Sequence, residues 1–524
     1  MGTPSSVAAE VRDPAPAATR RPAAPRGEGG LRHGVWLWPA LLALALTLYE
    51  IDHPLLWEDE LNTWDMVTRS TGRLLDTVGN VDAVLTAYYL LLHGWTVVFG
   101  DSVTALRMPS ALAMTGAAAC TALIGQRLFG RRAGLAAGLL FALTPVVVRY
   151  AHEARPYALV VLAVALATLA LLRALDRPER VGRWAAYAGC VAAVGLLHLI
   201  ALTVLAGQLV VVAAWARVDR ALAVRAGLAA LAGVAAAAPA AVLGSRQASR
   251  QIAWIPQPDL GSLAAFLPQL YASGTFAGAV TLLAVSAWAE RRRAGRAGTP
   301  ASTSGSSWRP ASRGPVPAVT AMAVLPVLVL WAVSHGDISY FFHRYLLFTL
   351  PAWAVLAGAA LAALRSRSVL AAALVAVAVL SLPEQRSVRE TYAHFWHGVD
   401  YKGAAETIAR YHRPGDAVVY DRGEDYWRLL DLGVRHYLPD ELRPRDVFLA
   451  RSAADRADLW SSECPDPAAC LGREARIWLV VPEGAADPLD ALPAPQAGAL
   501  RKHYTATGTE RLTGVTVALL VRKP

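Results

Sequence analysis

Long apolar runs fill the first three quarters of the chain, and polar residues collect in the gaps between them. The runs fall at 35–51, 105–126, 133–148, 157–175, 184–200, 201–216, 226–243, 275–289, 317–333, 346–364 and 369–382. Each is close to the roughly 17–25 residues that cross a bilayer. The pattern predicts a polytopic α-helical membrane protein of about eleven transmembrane helices. The run from Val35 is followed by Asp52-His53-Pro54 and no small-residue cleavage site, so it reads as an uncleaved anchor. A shorter run, 83–99, is aromatic and interrupted by His93. It is expected at the bilayer interface, since counting it as a span would invert everything after it.

The flanks differ in kind. Residues 1–34 are rich in Ala, Pro, Arg and Gly without apolar periodicity and read as a disordered tail, and 294–315 reads as a linker. After residue 383, short β-type runs at Ala417–Asp421, Val447–Ala450, Arg476–Pro482 and Gly514–Val521 are separated by helix-compatible stretches at 402–412 and 425–437. This predicts a folded α/β domain over 384–524, joined to a transmembrane domain over 35–383. It contains no GxGxxG or GxxxxGK[ST] phosphate loop.

Composition agrees: 55% hydrophobic and 17% charged, with a mean hydropathy of +0.36. Soluble domains average about 45–50% apolar and about 25% charged, so disordered, collagen-like and nucleic-acid-binding classes are excluded. Charge then supplies an orientation. Residues 1–383 hold 31 basic and 19 acidic side chains, a net of +12, whereas 384–524 are close to neutral at −2. All 31 basic residues are arginines, and a cytoplasmic N-terminus puts 23 of them inside and eight outside. An odd number of spans then makes the C-terminal domain extracytoplasmic and the protein a multi-pass component of the plasma membrane. There Cys464 and Cys470 could pair, while Cys120 and Cys190 lie in apolar runs.

Three polar segments share the outer side. The first outside loop, within 52–104, carries Glu58, Asp59 and Glu60 immediately after a span. Such carboxylates serve as a general base for a hydroxyl or ligate a hard divalent cation, and a solvated acidic loop is the plain alternative. The second holds Glu153, Arg155 and Tyr157, where Arg155 offers a bidentate fork to a phosphate or simply pairs with Glu153. The third contains His343, Arg344 and Tyr345; one snorkelling arginine is unremarkable, but three polar turns on one side argue for a site. The long loop 244–274 adds Arg246, Arg250, Trp254 and an amphipathic stretch from Leu260 to Leu270 suited to the bilayer surface.

Taken in order, Trp57-Glu58-Asp59-Glu60, Tyr89-Leu90-Leu91-Leu92-His93-Gly94-Trp95, Arg107-Met108-Pro109-Ser110, Glu153-Ala154-Arg155-Pro156-Tyr157 and His343-Arg344-Tyr345 resemble the GT-C glycosyltransferases. Within them the chain is most similar to the glycosyltransferase family 39-like branch, the protein mannosyltransferases and lipid A aminoarabinose transferases. The resemblance covers roughly 35–383. It implies a polyprenyl-phosphate-linked hexose or pentose as donor, an acceptor hydroxyl on a glycan, lipid or protein outside the membrane, and inversion at the anomeric carbon. It also implies Asp59 as general base with Glu60 orienting it or the acceptor, and Arg155 and Arg344 on the departing lipid phosphate. Glu153, Tyr157, His343 and Tyr345 would position substrate. Whether Asp59 and Glu60 hold a divalent cation stays open. Many relatives carry a His-Pro-Pro-Leu-Tyr-Tyr segment where this chain reads Val84-Leu85-Thr86-Ala87-Tyr88-Tyr89; Asp82 just upstream could partly substitute, and no histidine role is carried over there.

Two other classes fit an apolar chain of this kind. A transporter or flippase of a polyprenyl-linked substrate would place ionisable residues at the bilayer midplane. Here the spans are Ala, Val and Leu, with His198 the main polar exception. An inactive assembly protein that binds through its C-terminal domain is the third.

Overall fold

The computed structural model describes Gly2 and residues 34–216, 219–296, 314–364, 366–391, 398–423 and 426–524. Most of the 1–34 tail, the 297–313 part of the linker, Arg313 and Arg365 lie outside the described residues, as does the side chain of Arg250.

Val35–Pro524 forms one compact unit. Every apolar run anticipated from the sequence is helical, but the helices differ in length. Among the described residues six are long and apolar enough to cross a membrane: Val103–Phe129, Tyr157–Asp176, Arg220–Ala248, Val316–Val333, His343–Ala362 and Arg367–Ser387. Two bent pairs bring the number to eight, Arg131–Leu143 with Pro145–Ala151 at 60° and Leu260–Tyr271 with Gly274–Arg293 at 101°. The first bend falls at Thr144-Pro145, where proline lacks the amide that would continue the ladder. Gly34–Leu48, Ala83–Phe99, Val181–Leu197 and Leu199–Ala214 are shorter.

Small residues let three of these helices touch backbone to backbone. A Cβ on Gly134 would sit 2.5 Å from the Ala122 carbonyl oxygen, and one on Gly358 would sit 2.6 Å from the Ala137 nitrogen. Close approach of this kind is how helices associate in lipid, where no hydrophobic effect drives them together. It locks Arg131–Leu143 between Val103–Phe129 and Leu350–Ala362.

The C-terminal domain contains the strands β1 (Ala417–Tyr420), β2 (Arg445–Asp446), β3 (Leu449–Arg451), β4 (Ser462–Glu463), β5 (Arg476–Pro482), β6 (Tyr504–Leu512) and β7 (Val515–Arg522). Five form one mixed sheet in the order β2-β1-β5-β7-β6; β1 is parallel to β2 and β5, and β7 is antiparallel to β5 and β6. Of the strand expected at Val447–Ala450 only Leu449 and Ala450 are extended, in β3, which pairs with β4 in a small second sheet; β2 precedes the expected run. Cys464 and Cys470 are joined by a disulfide.

Alternation in β1 and β5 sorts side chains onto two faces. Ala417, Val419, Ile477 and Leu479 share a core with Leu500 of Ala494–His503. Val418, Tyr420, Trp478 and Val480 face Tyr401, Ile408 and Leu430, and that core continues into Leu56, Leu61, Trp64, Leu74 and Tyr89 of the first loop. At roughly 1.5–3 kcal/mol per large side chain buried, this continuity makes the C-terminal domain a structural partner of the loop.

Candidate active site

The first-loop helix Glu58–Thr68 begins at the three carboxylates, which favours its positive N-terminal end. Successive residues on a helix diverge by roughly 100°, so the three point to different surroundings.

Glu60 is wholly buried against Arg107. Arg107 Nε donates to Oε1 at 2.9 Å and Nη2 to Oε2 at 2.6 Å, and the Ala154 amide donates to Oε1 at 2.8 Å. Glu60 is absent from the cavity wall. Asp59 faces the other way: its Oδ2 is 3.3 Å from Arg344 Nη1 and 3.8 Å from Arg155 Nε. The Asp59–Glu60 pair therefore presents no joint ligand set to a divalent cation, and among the described residues no group of three or more His, Cys, Asp or Glu could hold a metal. Glu58 is 8% exposed. Neither of its carboxyl oxygens meets a hydrogen-bond partner from another described residue, and burial, with Asp59 adding to it, pushes its pKa up to about 7.

Asp59, Arg155 and Arg344 line a cavity of about 1020 Å³. Arg155 enters from the turn before Tyr157–Asp176 and also donates from Nη1 to Thr63 Oγ1 at 3.4 Å. Arg344 is framed by aromatic rings, with its guanidinium carbon 5.5 Å from the Trp57 centroid, 5.7 Å from Trp254 and 4.9 Å from Phe342. The Nε of each arginine is buried without a hydrogen-bond partner. Tyr157 and Tyr345 also line the cavity, their ring centroids 6.2 Å apart.

Besides Glu60, two residues expected in the site lie outside its wall. Glu153 accepts from Arg149 Nη1 at 2.7 Å while its own carbonyl accepts from Ser110 Oγ at 2.7 Å; burial raises its pKa. The His343 ring packs against Phe342 at 4.6 Å. Both shape the loops that present Arg155 and Arg344.

The sequence offered Asp82 only as a partial substitute for the histidine absent from 84–89, and gave no site role to several other lining residues. Asp82 has a left-handed backbone (φ 59°) and accepts from Tyr89 Oη at 2.7 Å and from Gln251 Nε2 at 2.5 Å. Burial raises its pKa, against the lowering effect of Arg155. The helices add an aliphatic wall of Leu197, Leu199, Ile200, Ile252, Leu330 and Val333, with His198 beside it. Tyr426, Trp427, Leu459 and Trp460 reach the cavity from the C-terminal domain. No spacing links them to Asp59, more than 360 positions away.

The family model for dolichyl-phosphate-mannose-protein mannosyltransferase matches residues 85–245. No curated protein sequence matches the chain. Among solved structures, ArnT from Cupriavidus metallidurans bound to undecaprenyl phosphate is similar over 92% of this chain and 97% of its own, with 16% identity and a TM-score of 0.58. The oligosaccharyltransferase AglB from Archaeoglobus fulgidus, in complex with an inhibitory peptide and a dolichol-phosphate, matches at 10% identity and a TM-score of 0.46, over 92% of this chain and 73% of its own. The fold is the GT-C fold of membrane glycosyltransferases, in its ArnT-like form with a C-terminal sheet domain.

Proposed function

We propose that the protein is an integral-membrane glycosyltransferase that moves a sugar from a polyprenyl-phosphate donor to an acceptor hydroxyl on the outer face of the plasma membrane, with inversion. The observation that carries this reading is one carboxylate, Asp59, set 3.3 and 3.8 Å from two guanidinium groups in the wall of a large, partly aliphatic cavity. The bound undecaprenyl phosphate of the similarly folded ArnT fits the same chemistry.

The acceptor oxygen attacks the anomeric carbon, its proton passes to Asp59, and the bond from that carbon to the phosphate oxygen breaks. The lipid phosphate leaves as an anion, so it needs fixed positive charge rather than a protonating acid. Arg155 and Arg344 supply that charge. Their unfilled donors separate them from Arg107, whose donors are all taken by Glu60 and by the carbonyls of Ile51, Pro54 and Leu55. In the free enzyme Asp59 occupies the place of the phosphate charge; donor binding would draw both arginines onto the phosphate and release Asp59 to act as base. The Cys464–Cys470 disulfide and the arginine distribution support an outer position for the C-terminal domain.

The test is transfer from radiolabelled undecaprenyl-phosphate hexoses and pentoses to cell-envelope fractions by the purified protein. Donor-dependent labelling is expected, with the anomeric configuration of the product inverted. Flipping of the donor across vesicles without any labelled product would favour a transporter instead.

A further inference from the structure

The cavity has two unlike walls. One comes from the apolar helices and is mostly aliphatic, with Tyr157 and Tyr345 among its residues, as suits a polyprenyl chain. The other comes from the C-terminal domain and is aromatic: Tyr426 and Trp427 from the short helical turn Tyr426–Arg428, and Trp460. Tyr426 meets Trp460 edge to face at 4.8 Å, and Tyr426 remains half exposed at 49%. Tyr426 is thus open to the cavity, while Trp460 is half-buried, packed on one side against the core shared with the first loop.

This aromatic turn is held in place at a cost. Leu429, the next residue, is buried with φ at 51°, a left-handed conformation that a leucine rarely adopts. Strain of this kind persists where surrounding structure over-determines it, and it gathers at ligand sites. The same cavity is lined by Asp59 and Asn62, both partly exposed and on the same helix face one turn apart, with Asn62 Oδ1 itself buried and without a hydrogen-bond partner. Flat rings that share a cavity with a carboxylate and an amide match one ligand chemistry. The C–H face of a pyranose or furanose carries positive charge toward an aromatic quadrupole, and its hydroxyls need acceptors at the edge.

We infer that Tyr426, Trp427 and Trp460 form an acceptor subsite for a saccharide, so that the hydroxyl glycosylated by this protein belongs to a glycan. This rests on the glycosyl-transfer reading above. The side is set by the chemistry. An inverting displacement puts nucleophile and leaving phosphate on opposite sides of the anomeric carbon. Arg155 and Arg344 mark the phosphate side, and the aromatic wall belongs to the domain from which an outer acceptor must arrive.

The experiment uses full-length protein in nanodiscs and two readouts. Saturation-transfer NMR with neutral hexose and pentose oligosaccharides reports binding without turnover. Acceptor and donor KM values are then compared for wild type, Tyr426→Ala, Tyr426→Phe and Trp460→Leu. At least one oligosaccharide should bind, and its affinity and acceptor KM should worsen roughly tenfold in Tyr426→Ala and Trp460→Leu. Tyr426→Phe should restore them, and undecaprenyl-phosphate affinity should stay within about twofold throughout. No saccharide binding to wild type overturns the inference, as does a shift confined to donor KM or transfer to a Ser/Thr peptide that ignores these substitutions. Saccharide binding without any transfer overturns the catalytic reading while leaving the subsite standing.

Discussion

Arg107 and Glu60 form a wholly buried ion pair in which all five guanidinium donors are used, two on Glu60 and three on the carbonyls of Ile51, Pro54 and Leu55. The pair ties the first loop to Val103–Phe129 and fixes the register of the helix that carries Asp59. Removing one partner of such a pair strands the other charge, at a cost of roughly 3–5 kcal/mol. Arg107→Leu and Glu60→Leu should each lower the unfolding temperature in detergent strongly, while the double variant regains part of the loss. Equal, additive losses would mean that the two side chains do not act as a unit.

Asp59→Asn keeps the shape of the carboxylate and removes its basicity. The expected loss in kcat is roughly 10²–10⁴, the range for a general base. Affinity for undecaprenyl phosphate should be preserved or tightened, because both arginines lose the carboxylate with which they now pair. Fluorescent-lipid binding checks the second half, and weakened binding would give Asp59 a direct part in holding the donor.

For the arginines, charge and shape separate. Arg344→Lys and Arg155→Lys retain a positive group but lose the planar fork, so both should raise donor KM and lower kcat/KM, with acceptor KM little changed. Arg344 should be the more sensitive, since its guanidinium also lies over Trp57, Trp254 and Phe342. Steady-state kinetics at varied donor concentration decide this.

Much of the architecture was legible because bilayer and sheet impose simple periods. The apolar runs became helices, and β1, β5 and β7 lie where β-type runs were read. β6, Tyr504–Leu512, escaped because it is an edge strand exposed along most of its length and so carries no apolar alternation. At the site, Asp59, Arg155 and Arg344 do converge on one cavity. Glu60 diverges from Asp59 because neighbours on a helix cannot share a face, a geometry visible once 58–68 is known to be helical. The aromatic wall was invisible for a different reason: only tertiary packing brings Tyr426 and Trp460 to the cavity that the first loop also lines.

Glu58 leads to a pH dependence of stability. Its carboxyl group sits at about 7 in the folded protein, from burial first and Asp59 second, against an ordinary value of 4.5. A carboxyl group raised on folding binds its proton more tightly in the native state. Its full contribution is therefore present below about pH 4.5 and disappears as pH rises through about 7. The shift corresponds to a difference of the order of 3 kcal/mol between those limits. Unfolding temperature measured from pH 5 to 8 should fall more steeply in wild type than in Glu58→Gln, which has no proton to lose. Parallel profiles for the two proteins would show that Glu58 is ionised throughout and has a charge partner in the native state.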